Sequence, residues 1–164
     1  MSKCPVCESN TLAAARRVAL KALCNSVVSH PAYVKRDITG DGKDETFCNQ
    51  AVAKIADTLG CRDFAKKPLA NEMIGIMEKK WRKVTPLEAA AHAEHGGLAV
   101  AAKKAEPHGH VAVIFPDPMQ LSPSLNQYVP IAANVGRINK IGRVTEFFPI
   151  ADGLPEFFTW QPTA

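Results

Sequence analysis

The chain has 164 residues and a mass of 17.7 kDa, the size of one compact domain spanning 1–164. Hydrophobic residues make up 46% and charged residues 22%, which excludes a disordered chain, a collagen-like fibre and a coiled coil; no run reaches the roughly 18 apolar residues of a membrane span. Twenty Lys and Arg against 16 Asp and Glu leave +4, which suits contact with polyanions such as bacterial wall polymers. With no dense basic block or stacking aromatic series, the charge falls short of a nucleic-acid-binding signature.

Residues 1–36 read as a polar tail followed by an amphipathic helix. Thr11 to Val28 carries Leu12, Ala15, Ala19, Leu23 and Val27 at helical spacing, with Arg16, Arg17 and Lys21 on a wetter side. Thr11 is the candidate N-cap, and His30-Pro31 stops the run. The basic residues also interrupt the one apolar stretch that could serve as a signal peptide. Synthesis in a cytoplasm is therefore expected, with any work at the periplasm or exterior reached by a non-standard exit route.

An Asp- and Gly-rich loop, Asp37 to Asp44, leads to a second helix beginning near Thr46 or Phe47 and closing at Gly60. A third helix is predicted over Ala70 to Lys80, and a fourth from Pro86 to about His95 with Thr85 as its cap. The character then changes. Leu98 to Ala102, His110 to Phe115, Val129 to Val135 and Arg143 to Phe148 read as strands. Helices first and an expected antiparallel sheet second make an α+β arrangement.

The chemistry concentrates in Thr46-Phe47-Cys48-Asn49-Gln50 and Pro107-His108-Gly109-His110-Val111. Cys48 opens a predicted helix, where free backbone N–H groups and the helix dipole stabilise a thiolate. His110 opens a strand after Gly109, where its ring can act as base and where the glycine leaves room for a substrate backbone. A helix-borne Cys followed by a Gly-His-Val-Ala-Val strand resembles the papain-like cell-wall hydrolases of the NlpC and CHAP type. The resemblance covers roughly residues 37 to 160 and rests on these two motifs.

In those hydrolases the first core strand after the cysteine helix carries the histidine, and a polar residue on the next strand orients the imidazole. The resemblance implies Cys48 as nucleophile and His110 as general base. It points to Asn134, the polar side chain within Val129 to Gly136, as the orienter. Asn126, Gln127 and Asp117 compete for that third role. The implied function is cysteine amidase or endopeptidase activity on peptidoglycan stem peptides, by a monomer that needs no cofactor. Cys48 thiolate attacks the carbonyl and protonated His110 serves the leaving amine. The sequence departs from the commonest NlpC wording, since Phe47 stands where Asp usually precedes the cysteine and Asn49-Gln50 replace Ser-Gly. The closing segment from Val135 to Trp160 is also similar to small amidases of phage lysins and bacterial toxins.

Other patterns compete. Asp37-x-Thr39-x-Asp41-Gly42 partly matches a calcium loop, although turn geometry explains the same residues. Cys4 and Cys7, completed by Cys24 and His30, have allowable zinc spacing, and five cysteines in all leave one unpaired in any disulfide scheme. His92 and His95, with His108 and His110, suggest a metal-dependent hydrolase, although no zincin spacing accompanies them. Trp81 within Lys79 to Lys83 reads either as a polyanion contact or as a packed indole. A wall-binding module with an inert Cys48 is the non-enzyme alternative.

Overall fold

Helix α1 spans Pro5–Ser29 in the computed structural model, which describes residues 5–162 and, for 5–8, the backbone alone. The helix starts before Thr11, so that residue is not its N-cap. It ends at Ser29 because Pro31 bars helical geometry in the residue before it. A 3₁₀ turn follows over Pro31–Tyr33, capped by His30 Nδ1, which accepts the Ala32 N–H at 3.1 Å.

The inward stripe of α1 is Leu20, Cys24 and Val27, whereas Leu12 is 52% exposed. The stripe is therefore displaced from the one the sequence suggests, and Arg17 and Lys21 turn towards the protein. Arg17 Nε donates to the Pro116 carbonyl at 3.1 Å, while Lys21 pairs with Asp117 and sits over the Phe115 ring. Polar anchors at the end of a strand outweigh the simple apolar periodicity here.

The next helices follow their local signals. Helix α2 spans Cys48–Thr58 and closes at Gly60, whose φ of 90° is open to glycine. Helix α3 spans Ala70–Lys80, with the Glu72 carboxylate accepting the Leu69 N–H. Strand β1 (Arg82–Val84) precedes α4 (Pro86–Glu94), which opens with a reciprocal capping box between Thr85 and Glu88. Trp81 is a buried, packed indole: Nε1 donates to Asp63 at 2.9 Å, and its ring lies 5.3 Å from that of Phe64.

The remaining strands are β2 (Ala99–Lys103), β3 (His110–Ile114), β4 (Gln120–Ser122), β5 (Gln127–Val129), β6 (Ile131–Asn134), β7 (Lys140–Arg143) and β8 (Glu156–Thr159). They form an antiparallel six-stranded sheet in the order β1-β8-β2-β3-β6-β7, with β4 and β5 as a separate ribbon. Among the described residues the architecture is α+β, four helices with an antiparallel sheet. Val129 belongs to the ribbon, so the strand predicted from it begins later, at Ile131. The strand predicted over Arg143 to Phe148 holds only at Arg143. Glu146 accepts the Arg143 N–H at 3.0 Å and turns Val144–Glu146 into a 3₁₀ segment.

Val100, Val113, Ile114 and Phe158 from the sheet and Leu20, Ile55, Met73 and Met77 from the helices are buried in one core cluster. Burying each such side chain stabilises the fold by about 1.5–3 kcal/mol. Strand β3 runs through the middle of the sheet, and α2 packs against it. That contact places the start of α2 beside the start of β3. No helix among the described residues is long and apolar enough to cross a membrane.

Candidate active site

Cys48 occupies the first turn of α2, where the N-cap is Phe47, a residue with no side-chain acceptor. The N–H groups of Cys48 and Asn49 therefore stay free to act on the sulfur. A third N–H, from Val111 in β3, also reaches it. Phe47 is buried under the Arg36 guanidinium, which lies 4.6 Å from its ring centroid. Cys48 is only 6% exposed, yet it lines a groove of about 470 Å³ whose walls include Glu45, Thr46, Asn49, Asn71 and His108.

Gly109 also lines this groove, so the chain is free of a side chain there. A Cβ at Gly109 would stand 2.2 Å from Asn71 Oδ1 and 2.9 Å from the Lys103 carbonyl oxygen. The glycine thus serves close packing against α3 as well as the open groove wall. Asn71 holds the loop before β3 by donating to the Ala105 carbonyl at 3.0 Å.

Sheet register brings His110 to Asn134. Strands β3 and β6 pair Val113 with Ala133 and Ile114 with Ala132, which puts Asn134 opposite Ala112 when the register is continued. His110 is then its diagonal neighbour on the same face. His110 Nε2 and Asn134 Oδ1 are 2.6 Å apart, and Asn134 Nδ2 donates to the Ile138 carbonyl at 2.6 Å. That second bond fixes the orientation of the carboxamide. With Oδ1 as the acceptor, the imidazole proton belongs on Nε2, and Nδ1 keeps its lone pair. The Phe148 ring, 4.8 Å away, covers the imidazole.

Burial pushes the Cys48 thiol above its ordinary value, against the N–H groups of Val111, Asn49 and Cys48 itself, which pull it down. Burial likewise lowers His110, against the Asn134 hydrogen bond that raises it. At rest Cys48 is therefore a neutral thiol and His110 a neutral imidazole. The helix N-terminus does not win, as the sequence had suggested, because the sulfur is too deeply desolvated. For a hydrolysis in which His110 is the base, the expected result is an acid limb of kcat/KM below the ordinary histidine value near 6.5. A lowered pKa keeps the imidazole neutral to lower pH. A pH–rate profile with its acid limb at or above that value would contradict the assignment.

The other candidates for the orienting role lie elsewhere. Asn126 and Gln127 belong to the β4–β5 ribbon, and Asp117 is bound to Lys21 and Arg17. The Asp37 loop is a turn: its carboxylate accepts the Gly40 and Gly42 N–H groups at 2.6 and 2.8 Å. Those same N–H groups hold Asp37 below the usual carboxylate range, that of Gly42 first.

The zinc set does not assemble from the described residues. Cys24 is fully buried in α1, its thiol pushed up to about 12 by burial, while His30 caps the turn beyond the helix. Cys4 and the side chain of Cys7 lie outside the described residues. His95 Nδ1 bonds the Ala91 carbonyl at 2.8 Å, and the His92 ring lies against Gly97. Only His108 of that group lines the groove. No group of three or more His, Cys, Asp or Glu side chains that could hold a metal forms among the described residues.

Two structural contributors carried no sequence motif, the Ile138 carbonyl and Asn139. Phe148 was read from the sequence only as the end of a predicted strand. Two strands, β1 and β2, stand between the cysteine helix and His110, where the resemblance implies none. In comparison with known proteins, no family model matches the chain and no curated protein matches it. The likeness to NlpC and CHAP-type hydrolases thus rests on the Cys48 and His110 motifs themselves.

Proposed function

We propose that the chain is a papain-like cysteine amidase or endopeptidase that hydrolyses amide bonds of peptidoglycan peptides. Cys48 is the nucleophile, His110 the general base and Asn134 the residue that orients it. The observation that carries this reading is the 2.6 Å contact of His110 Nε2 with Asn134 Oδ1. It leaves Nδ1 as the basic nitrogen, on a strand whose next N–H reaches the Cys48 sulfur.

In this mechanism His110 Nδ1 takes the thiol proton as sulfur bonds to the substrate carbonyl carbon. The developing oxyanion lies by the free Cys48 N–H at the positive end of α2. Collapse breaks the C–N bond, and the proton on Nδ1 passes to the leaving amine. Water then attacks the thioester with His110 again as base, and the thiol leaves with its proton restored. The +4 charge favours residence on an anionic wall, reached from the cytoplasm by a non-standard exit route, and the working unit is the monomer.

Mass spectrometry of purified sacculi, digested in EDTA with wild type and with Cys48→Ala, tests the reading. Soluble muropeptides released by wild type alone are the expected outcome, and their masses identify the bond. Equal release by both proteins, or by neither, would overturn it.

A further inference from the structure

The turn that follows β6 does more than present Asn134. Asn139 Oδ1 accepts the Gly136 N–H at 3.0 Å, and Asn139 Nδ2 donates to the Tyr33 carbonyl at 2.9 Å. Gly136 stands against the imidazole: a Cβ there would lie 3.2 Å from His110 Cε1. Tyr33 belongs to the segment that runs on to Arg36, which pairs with Glu45 across a β-bridge and covers Phe47, the N-cap of the cysteine helix. One carboxamide therefore ties the wall of the imidazole to the segment that delivers the thiol.

We infer that Asn139 is a positioning residue that fixes the His110 imidazole, in tautomer and in place, relative to Cys48. The inference rests on the reading of these two groups as base and nucleophile. Asn139 acts through its neighbour in the chain. Ile138, whose carbonyl holds Asn134 Nδ2, sits in the same turn. Freed from Asn139, that turn no longer fixes the Asn134 carboxamide. A rotated carboxamide would offer Nδ2 to His110 Nε2 and move the imidazole proton to Nδ1, the atom that must accept from the thiol. The carboxamide supplies both the acceptor for Gly136 and the donor for Tyr33 at this position. Aspartate lacks the donor and leucine lacks both.

The test compares wild type, Asn139→Asp, Asn139→Leu and Ser122→Ala. Ser122, at the end of β4, is a buried control whose hydroxyl bonds Ser124 and Thr145. ¹⁵N NMR of the His110 ring reads the tautomer, and muropeptide kinetics read kcat and KM. Wild type and Ser122→Ala are expected to show the Nε2–H form. Asn139→Leu should populate the Nδ1–H form, and Asn139→Asp should fall between. For Asn139→Leu kcat should drop about 100-fold, the cost of a misplacement near 1 Å, with KM within about twofold of wild type.

An unchanged Nε2–H signature in Asn139→Leu overturns the inference, as does an equal change in Ser122→Ala. If no Cys48-dependent hydrolysis is found, the proposed function fails on that result. The spectra then decide the positioning of His110 on their own.

Discussion

Replacing His110 with alanine is expected to reduce muropeptide turnover by roughly 10⁴-fold, the upper end of what a positioned general acid–base supplies. The size of the effect follows from the resting state of the pair. A thiol raised by burial is a poor nucleophile until a base takes its proton, and His110 is the partly buried imidazole whose Nδ1 is left free by Asn134. The alanine variant also strands the buried Asn134 carboxamide, which costs about 1–3 kcal/mol for an unsatisfied polar group. His110→Gln is the companion variant, since its amide N–H can still serve Asn134 while offering no base. Both should be inactive in steady-state assays run below their melting temperatures, and added imidazole should restore part of the rate to the alanine variant. Turnover within tenfold of wild type in the glutamine variant would remove His110 from the mechanism.

The largest expected effect on stability lies at Gly96, where α4 meets α1. This residue ends α4 with a φ of 78°, and a Cβ there would stand 2.3 Å from Arg16 Cβ and 2.5 Å from the Arg16 carbonyl carbon. Two costs coincide. The left-handed conformation disfavours an L side chain by about 1–2 kcal/mol, and overpacking against a helix backbone adds about 1–3 kcal/mol. Gly96→Ala should therefore lose roughly 2–5 kcal/mol in urea denaturation, because α1 must move off the end of α4. Gly60→Ala isolates the first cost, since φ is 90° there and nothing lies within 4 Å of the added methyl. Equal losses at the two positions would show that α1 does not dock tightly on Gly96.

What was legible in the sequence follows where local signals were complete. Thr85-Pro86 specified α4, and Gly60 closed α2, because caps act within one turn of chain. Cys48 and His110 stood out through their places at element starts, and Asn134 through being a polar residue in an apolar strand. Long-range pairing was not legible. Strands β1 and β8 are three and four residues long, and they pair with each other across more than 70 positions. The inward face of α1 was misplaced because Asp117 and Pro116 recruit Lys21 and Arg17 from a distant loop. The Ile138 carbonyl that orients Asn134 is a backbone atom, which no residue type announces.

The place of β8 in the sheet bears on how the chain acquires its fold during synthesis. Residues 156–159 insert between β1 and β2, so the strand made last among those described is an interior one. Until it emerges, β2 keeps one open edge lined by Ala99, Val100 and Ala101, a surface that invites pairing with other chains. Strands β2, β3, β6 and β7 can join before β8 is made, whereas β1, whose one partner in the sheet is β8, must wait for it. The sheet closes only when β8 joins, and until then the chain's risk is aggregation rather than inactivity.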